Sequence, residues 1–128
     1  MSDSPAPTYA VGSIIHHDLT VPDADGARDF YGSVLGWKST ALSMGDHDDY
    51  IMSAADGTPV AGVCHALGSN AELPPQWLMY VQVADLEETS TAIESAGGRL
   101  VTAIKGSDGH RYRVVEDPNG AVFAISGV

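Results

Sequence analysis

VPDADGARDFYGSVLGWKST, residues 21–40, recurs in altered form as VADLEETSTAIESAGGRLVT, residues 83–102. A constant offset of 62 matches Val21 with Val83, Asp23 with Asp85, Asp25 with Glu87, Gly36 with Gly98 and Thr40 with Thr102. Tyr50 and Tyr112 keep the same spacing. Each copy is flanked by the same kinds of segment in the same order, which marks a structural repeat. Two copies are too few for a solenoid, which needs about three stacked units to bury its faces. Two half-domains closing on each other around one core is the reading that follows.

Ahead of the first copy, GSIIHHDLTV (12–21) alternates as a strand, with His16, Asp18 and Thr20 on one face and Ile15, His17, Leu19 and Val21 on the other. Asp23 is placed to cap a helix running to about Leu35, because a carboxylate there accepts orphan amide hydrogens and suits the positive end of the dipole. Ala27, Phe30, Tyr31, Val34 and Leu35 make an apolar stripe read as core packing, and Gly36 supplies a left-handed stop. Strands are predicted over 37–44, 49–54 and 59–66, separated by GDHD and ADGT, both with hairpin-turn chemistry. LGSNAELPP (67–75) reads as a linker.

The second half repeats the order. A strand is predicted over 76–83, then a helix capped by Asp85 with Glu88 as its capping-box partner, with Leu86, Ala92, Ile93 and Ala96 facing the core. Gly97 and Gly98 end it, and strands over 99–105, 111–116 and 121–126 follow, the last after the turn DPNG (117–120). The expected fold is α+β: two βαβββ modules, 12–66 and 76–127, forming a curved mixed sheet around a cleft. They make one domain behind a flexible N-terminal arm, residues 1–11.

Composition sets outer bounds. The 128 residues suit one domain with a sizeable core, and 44% hydrophobic with 18% charged residues is ordinary for a soluble globular chain. A net charge of −11 and a pI near 4.4 argue against nucleic acid, whose phosphates are held by clustered Lys and Arg. No run approaches the roughly 20 apolar residues of a membrane span, and the opening MSDSPAPTYA lacks the regions of a signal peptide. One cysteine, Cys64, cannot make an internal disulfide; together these point to the cytoplasm.

The order of elements, the motif VPD…DFYG…LGW and the ending EDPNGAVFAI resemble the vicinal oxygen chelate superfamily, which includes glyoxalase I, extradiol dioxygenases and bleomycin or fosfomycin resistance proteins. The resemblance spans roughly residues 12–127 and implies a two-fold dimer. It also implies one divalent metal held by side chains from the first and last strand of each half. Carried over by motif, the four ligand positions are His16, Ala61, Leu78 and Ala124. Leu and Ala offer no lone pairs, so the expectation is a member that has lost the metal and uses no cofactor.

A two-histidine site from His16 and His65, with Asp18, stays open as an alternative. His47 among Asp46, Asp48 and Asp49 reads as a solvated acidic turn, and His110 as exposed. The resemblance turns His16, Asp18, Thr20, Leu78, Tyr80 and Gln82 inward, with Trp37, Tyr50, Trp77 and Tyr112 as walls and His65 near the cleft mouth. Such a pocket suits a small organic ligand, and Asp18 beside aromatic rings suits a cationic one. Three functions compete: a metal-independent binding protein, an enzyme of the lyase, isomerase or dioxygenase kind using an atypical metal or His16 and Asp18, and a regulatory module with a vestigial cleft.

Overall fold

Aspartates open both helices in the same way. In the computed structural model, which describes residues 9–107 and 109–128, the Asp23 carboxylate accepts from the Gly26 amide at 2.9 Å and Asp85 from the Glu88 amide at 2.8 Å. Each satisfies an orphan amide of a first turn. The helices are α1 (Ala24–Leu35) and α2 (Leu86–Ser95). Gly36 ends α1 at φ 73°, a left-handed conformation that costs glycine nothing. The expected arm, residues 1–11, lies outside the described residues over 1–8.

Among the described residues nine strands accompany the helices: β1 (Ile14–Val21), β2 (Lys38–Ser43), β3 (Asp48–Ser53), β4 (Pro59–His65), β5 (Trp77–Gln82), β6 (Arg99–Leu100), β7 (Lys105–Ser107), β8 (His110–Glu116) and β9 (Val122–Gly127). The pairing is mixed, parallel and antiparallel, and the class is α+β. The described residues divide into two compact units, His16–Met79 and Tyr80–Val128 with residues 9–15.

In the first unit the strands run in the order β2-β3-β4-β1, with β1 and β4 parallel and the rest antiparallel. Ala24, Tyr50, Met52, Ala61 and Val63 are buried together under α1, with Val21, Ala27, Tyr31, Trp37 and Trp77 packed against them. The apolar stripe of α1 is only partly absorbed. Ala27 and Tyr31 pack inward, whereas Phe30, Val34 and Leu35 are 57%, 61% and 53% exposed.

In the second unit β9 lies between β5 and β8, and both β6 and β7 pair with β8. Leu86, Val115 and Ile125 are buried under α2, supported by Val83, Ile93, Leu100, Ile104 and Phe123. The single strand predicted over 99–105 is two short ones. Thr102 interrupts it: its hydroxyl accepts from the Val114 amide at 3.1 Å and donates to the Ala103 carbonyl at 2.8 Å. A threonine side chain competing with backbone partners breaks a ladder in this way.

Candidate functional site

Alternation along β1 puts Leu19, 5% exposed and paired with Val63, on one face and His16, Asp18 and Thr20 on the other, helix-free one. The parallel register sets Asp18 beside Gly62 and Thr20 beside Cys64 on β4. Gly62 is what lets the polar pair lie down. A Cβ there would collide with Asp18 Oδ1 and sit 3.5 Å from His16 Nε2. Glycine inside a strand marks a close approach of this kind.

His16 Nε2 and Asp18 Oδ1 are 2.7 Å apart. The hydrogen bond to Asp18 holds the His16 pKa above the ordinary value, against the opposing pull of burial, with the carboxylate charge adding to the rise. The pair can present a carboxylate backed by an imidazolium or, once deprotonated, an imidazole oriented by a carboxylate. Next to it, burial pushes the Cys64 thiol pKa well up, and the nearby carboxylates of Asp18 and Asp49 push it further. A thiol so placed is a poor nucleophile and a poor metal ligand.

The structure corrects one position in the expected metal set. Ala61 is in the core under α1, because the residue of β4 that shares the face of His16 and Asp18 is Gly62. In the second unit Tyr80 pairs with Ala124. The four equivalent positions are therefore His16, Gly62, Leu78 and Ala124. Three carry no donor atom, and the fourth is already bonded to Asp18. These residues do not fit the metal the fold family implies.

The remaining predicted residues fall in several places. Trp37 and Trp77 lie on the α1 side of the first unit, their rings 6.0 Å apart, with Trp77 Nε1 donating to Tyr31 Oη at 3.1 Å. With His17, Val60 and Ala61 they line an open hollow of about 280 Å³. Tyr50 is buried on the same side, donates to Asp25 at 2.5 Å and lies 4.7 Å beneath the Arg28 guanidinium. Tyr50 thereby holds the Asp25 carboxyl below its usual range.

His65 also lies with that face, on the other side of β4 from Gly62, so the structure does not unite it with His16. It meets His47 instead, the rings 5.3 Å apart. Leu78 is 2% exposed, and Tyr80 and Tyr112 pack ring to ring at 5.6 Å in the second unit.

Sequence reasoning passed over Gly62, His17 and the hairpin group of His47 and Asp49. The signal for Gly62 was a glycine inside a β-rich run. For Asp49 there was less, since an aspartate among Asp46 and Asp48 looks solvated, yet it is 8% exposed and accepts from the His65 amide at 2.9 Å.

A sequence model of the Glyoxalase/Bleomycin resistance protein/Dioxygenase superfamily matches residues 13–125. The anthracycline biosynthesis protein DauV of Streptomyces sp. (strain C5) is 28% identical over 130 residues, covering 91% of this chain and 47% of that protein. The chain thus spans about half the length of the curated relatives it matches. Among solved structures, Streptomyces coelicolor methylmalonyl-CoA epimerase aligns over 92% of this chain and 98% of its own, at TM-score 0.59 and 15% identity. The methylmalonyl-CoA epimerase of Mycobacterium tuberculosis covers 96% and 92%, at TM-score 0.58 and 18% identity. The structural likenesses speak for the fold, and the match over residues 13–125 adds the sequence to it: the chain belongs to the Glyoxalase/Bleomycin resistance protein/Dioxygenase superfamily.

Proposed function

We propose that the chain binds a small organic molecule, without the divalent metal of its family, and that His16 and Asp18 are its polar anchor. The observation that carries this reading is the replacement of donors by Gly62, Leu78 and Ala124, which leaves His16 to an organic partner, Asp18, at 2.7 Å. An amine-bearing aromatic ligand is favoured over an anionic one. Asp18 supplies the opposite charge, and a net charge of −11 repels a polyanion. The domain acts in the cytoplasm as one glyoxalase-like unit and pairs as a two-fold dimer, for which Phe30, Val34 and Leu35, exposed on α1, offer apolar surface.

The names of similar proteins supply the probes. DauV is named for anthracycline biosynthesis, and the epimerase structure holds an acyl-CoA analogue. An anthracycline, an aromatic system bearing an amine, and methylmalonyl-CoA, a polyanion, are offered separately to the chelator-treated chain by calorimetry. The expected result is saturable binding of the amine, lost in Asp18→Asn. Binding of the acyl-CoA alone, or amine binding indifferent to His16→Ala and Asp18→Asn, overturns the reading.

The raised His16 pKa and its bond to Asp18 favour a second reading, in which a carboxylate-oriented imidazole moves a proton. Deuterium exchange at an acidic C–H of an added carbonyl compound, abolished by His16→Ala, is its signature.

A further inference from the structure

We propose that the β2–β3 hairpin and the end of β4 form a site for a divalent transition metal of the zinc and nickel class, with His47, Asp49 and His65 as ligands. The site lies off the His16–Asp18 pair and does not rest on the function proposed above. Each of the three residues offers one ligand atom, and these atoms lie within 4.8 Å of one another. Bonds of about 2.0–2.2 Å in a tetrahedral zinc site place donors about 3.3–3.5 Å apart, so a modest closure brings them into range. His47 Nε2 is already 3.6 Å from Asp49 Oδ1.

His47 is oriented as a ligating histidine is. Its Nδ1 is 2.7 Å from the Asp46 carboxylate, and the tautomer with the hydrogen on Nδ1 leaves the Nε2 lone pair toward Asp49, 3.6 Å away. His65 Nδ1 lies between the Asp48 carbonyl oxygen, at 2.9 Å, and Asp49 Oδ1, at 3.6 Å, so it would exchange its carbonyl contact for the metal. Metal-ligating histidines characteristically give their second N–H to a carboxylate or a backbone carbonyl, as His47 does to Asp46.

The third ligand is a carboxylate with 8% of its residue surface exposed, held in place by the His65 amide, which donates to its Oδ1 at 2.9 Å. Asp25, at the start of α1, brings a further carboxylate oxygen to 3.7 Å from His65 Nε2. The surrounding charges are Asp25, Asp46, Asp48 and Asp49 against the Arg28 guanidinium over Tyr50, so the field favours a divalent cation. Imidazole with carboxylate suits zinc or nickel better than calcium or magnesium, which prefer oxygen throughout.

The test is calorimetric titration of zinc chloride, and separately nickel chloride, into untagged full-length protein stripped with chelator and carrying no organic ligand. One zinc per chain is expected, with ring signals of His47 and His65 shifting in NMR spectra while those of His16 stay. His47→Ala and Asp49→Asn should each weaken zinc by about tenfold or more, and Asp46→Asn, which removes only an outer partner, by about tenfold. His16→Ala should leave zinc affinity unchanged. Circular dichroism of the metal-free variants establishes that they are folded. Absence of zinc uptake, uptake indifferent to both His47→Ala and Asp46→Asn, or uptake abolished by His16→Ala would each overturn the site. The organic-ligand experiment fails or succeeds independently, because it contains no metal.

Discussion

The two units carry the same devices in their helices and different chemistry on their helix-free faces. In the first, β1 and β4 present His16, Asp18 and Thr20 beside Gly62 and Cys64. In the second, β5 and β9 put Tyr80 and Gln82 beside Ala124 and Ser126, with Tyr112 opposite Ser126 on β8. A bonded histidine–aspartate pair sits in one copy, and two packed tyrosine rings with Gln82 and Ser126 in the other. The difference teaches that the two units share what folds them and differ in the chemistry of the faces they present.

The comparison breaks most severely in the cores. Met52 in the first unit and Leu86 in the second are both fully buried, so Met52→Ala and Leu86→Ala should each cost about 2–5 kcal/mol in denaturant unfolding. A loss under about 1 kcal/mol at either position would show that the two units do not depend alike on their cores.

Position 62 sharpens it next. Gly62→Ala adds a methyl group against Asp18 Oδ1 and should cost about 1–3 kcal/mol, whereas the matching residue of the second unit is already an alanine, Ala124. The same variant should drive Asp18 off His16 and return the His16 titration toward its ordinary midpoint. Unchanged stability together with an unchanged titration would remove Gly62 from the site.

The caps predict equality. Asp23→Ala and Asp85→Ala each remove one side-chain bond to a first-turn amide, so both should lower stability by about 1 kcal/mol. A difference greater than about 1 kcal/mol between them would show that the shared sequence signal hides unequal helices.

The smallest effect is in pH. The His16 pKa is raised from 6.5, so its stabilising bond to Asp18 is fully present below 6.5 and fades as pH rises through the folded-state midpoint. The stability gap between the native chain and Asp18→Asn should therefore be wider at pH 6 than at pH 8. Solvent screening keeps it small, since the His16 side chain is 42% exposed. A gap that widens with rising pH has the wrong sign for this pair.

The repeat made both caps, both helices and most strands legible, because an aspartate before a helix and a glycine after it act locally. It misled where counting crossed a strand. Tyr50 and Tyr112 keep the offset of 62, yet Tyr50 pairs with Val63 and packs under α1, whereas the residue paired with the equivalent Ile125 is Arg113. The second copy has one residue more between cap and third strand, and a shift of one turns a side chain to the opposite face. Ala61 was assigned the place of Gly62 by counting four from the turn glycine, but Gly57 lies five positions before Gly62 where Gly120 lies four before Ala124. The gathering of His47, Asp49 and His65 was beyond reach, since it depends on how a hairpin folds over the end of β4.

Cys64 turns the first unit into its own reporter. As the chain's one cysteine, with a thiol held in its protonated form among carboxylates, it should resist alkylating reagents at neutral pH while β4 stays in place. Labelling of this half-buried thiol should speed up as that strand comes away from its neighbours, so the rate of thiol modification follows opening at the edge of the His16–Asp18 pair, and any molecule that settles there should slow it.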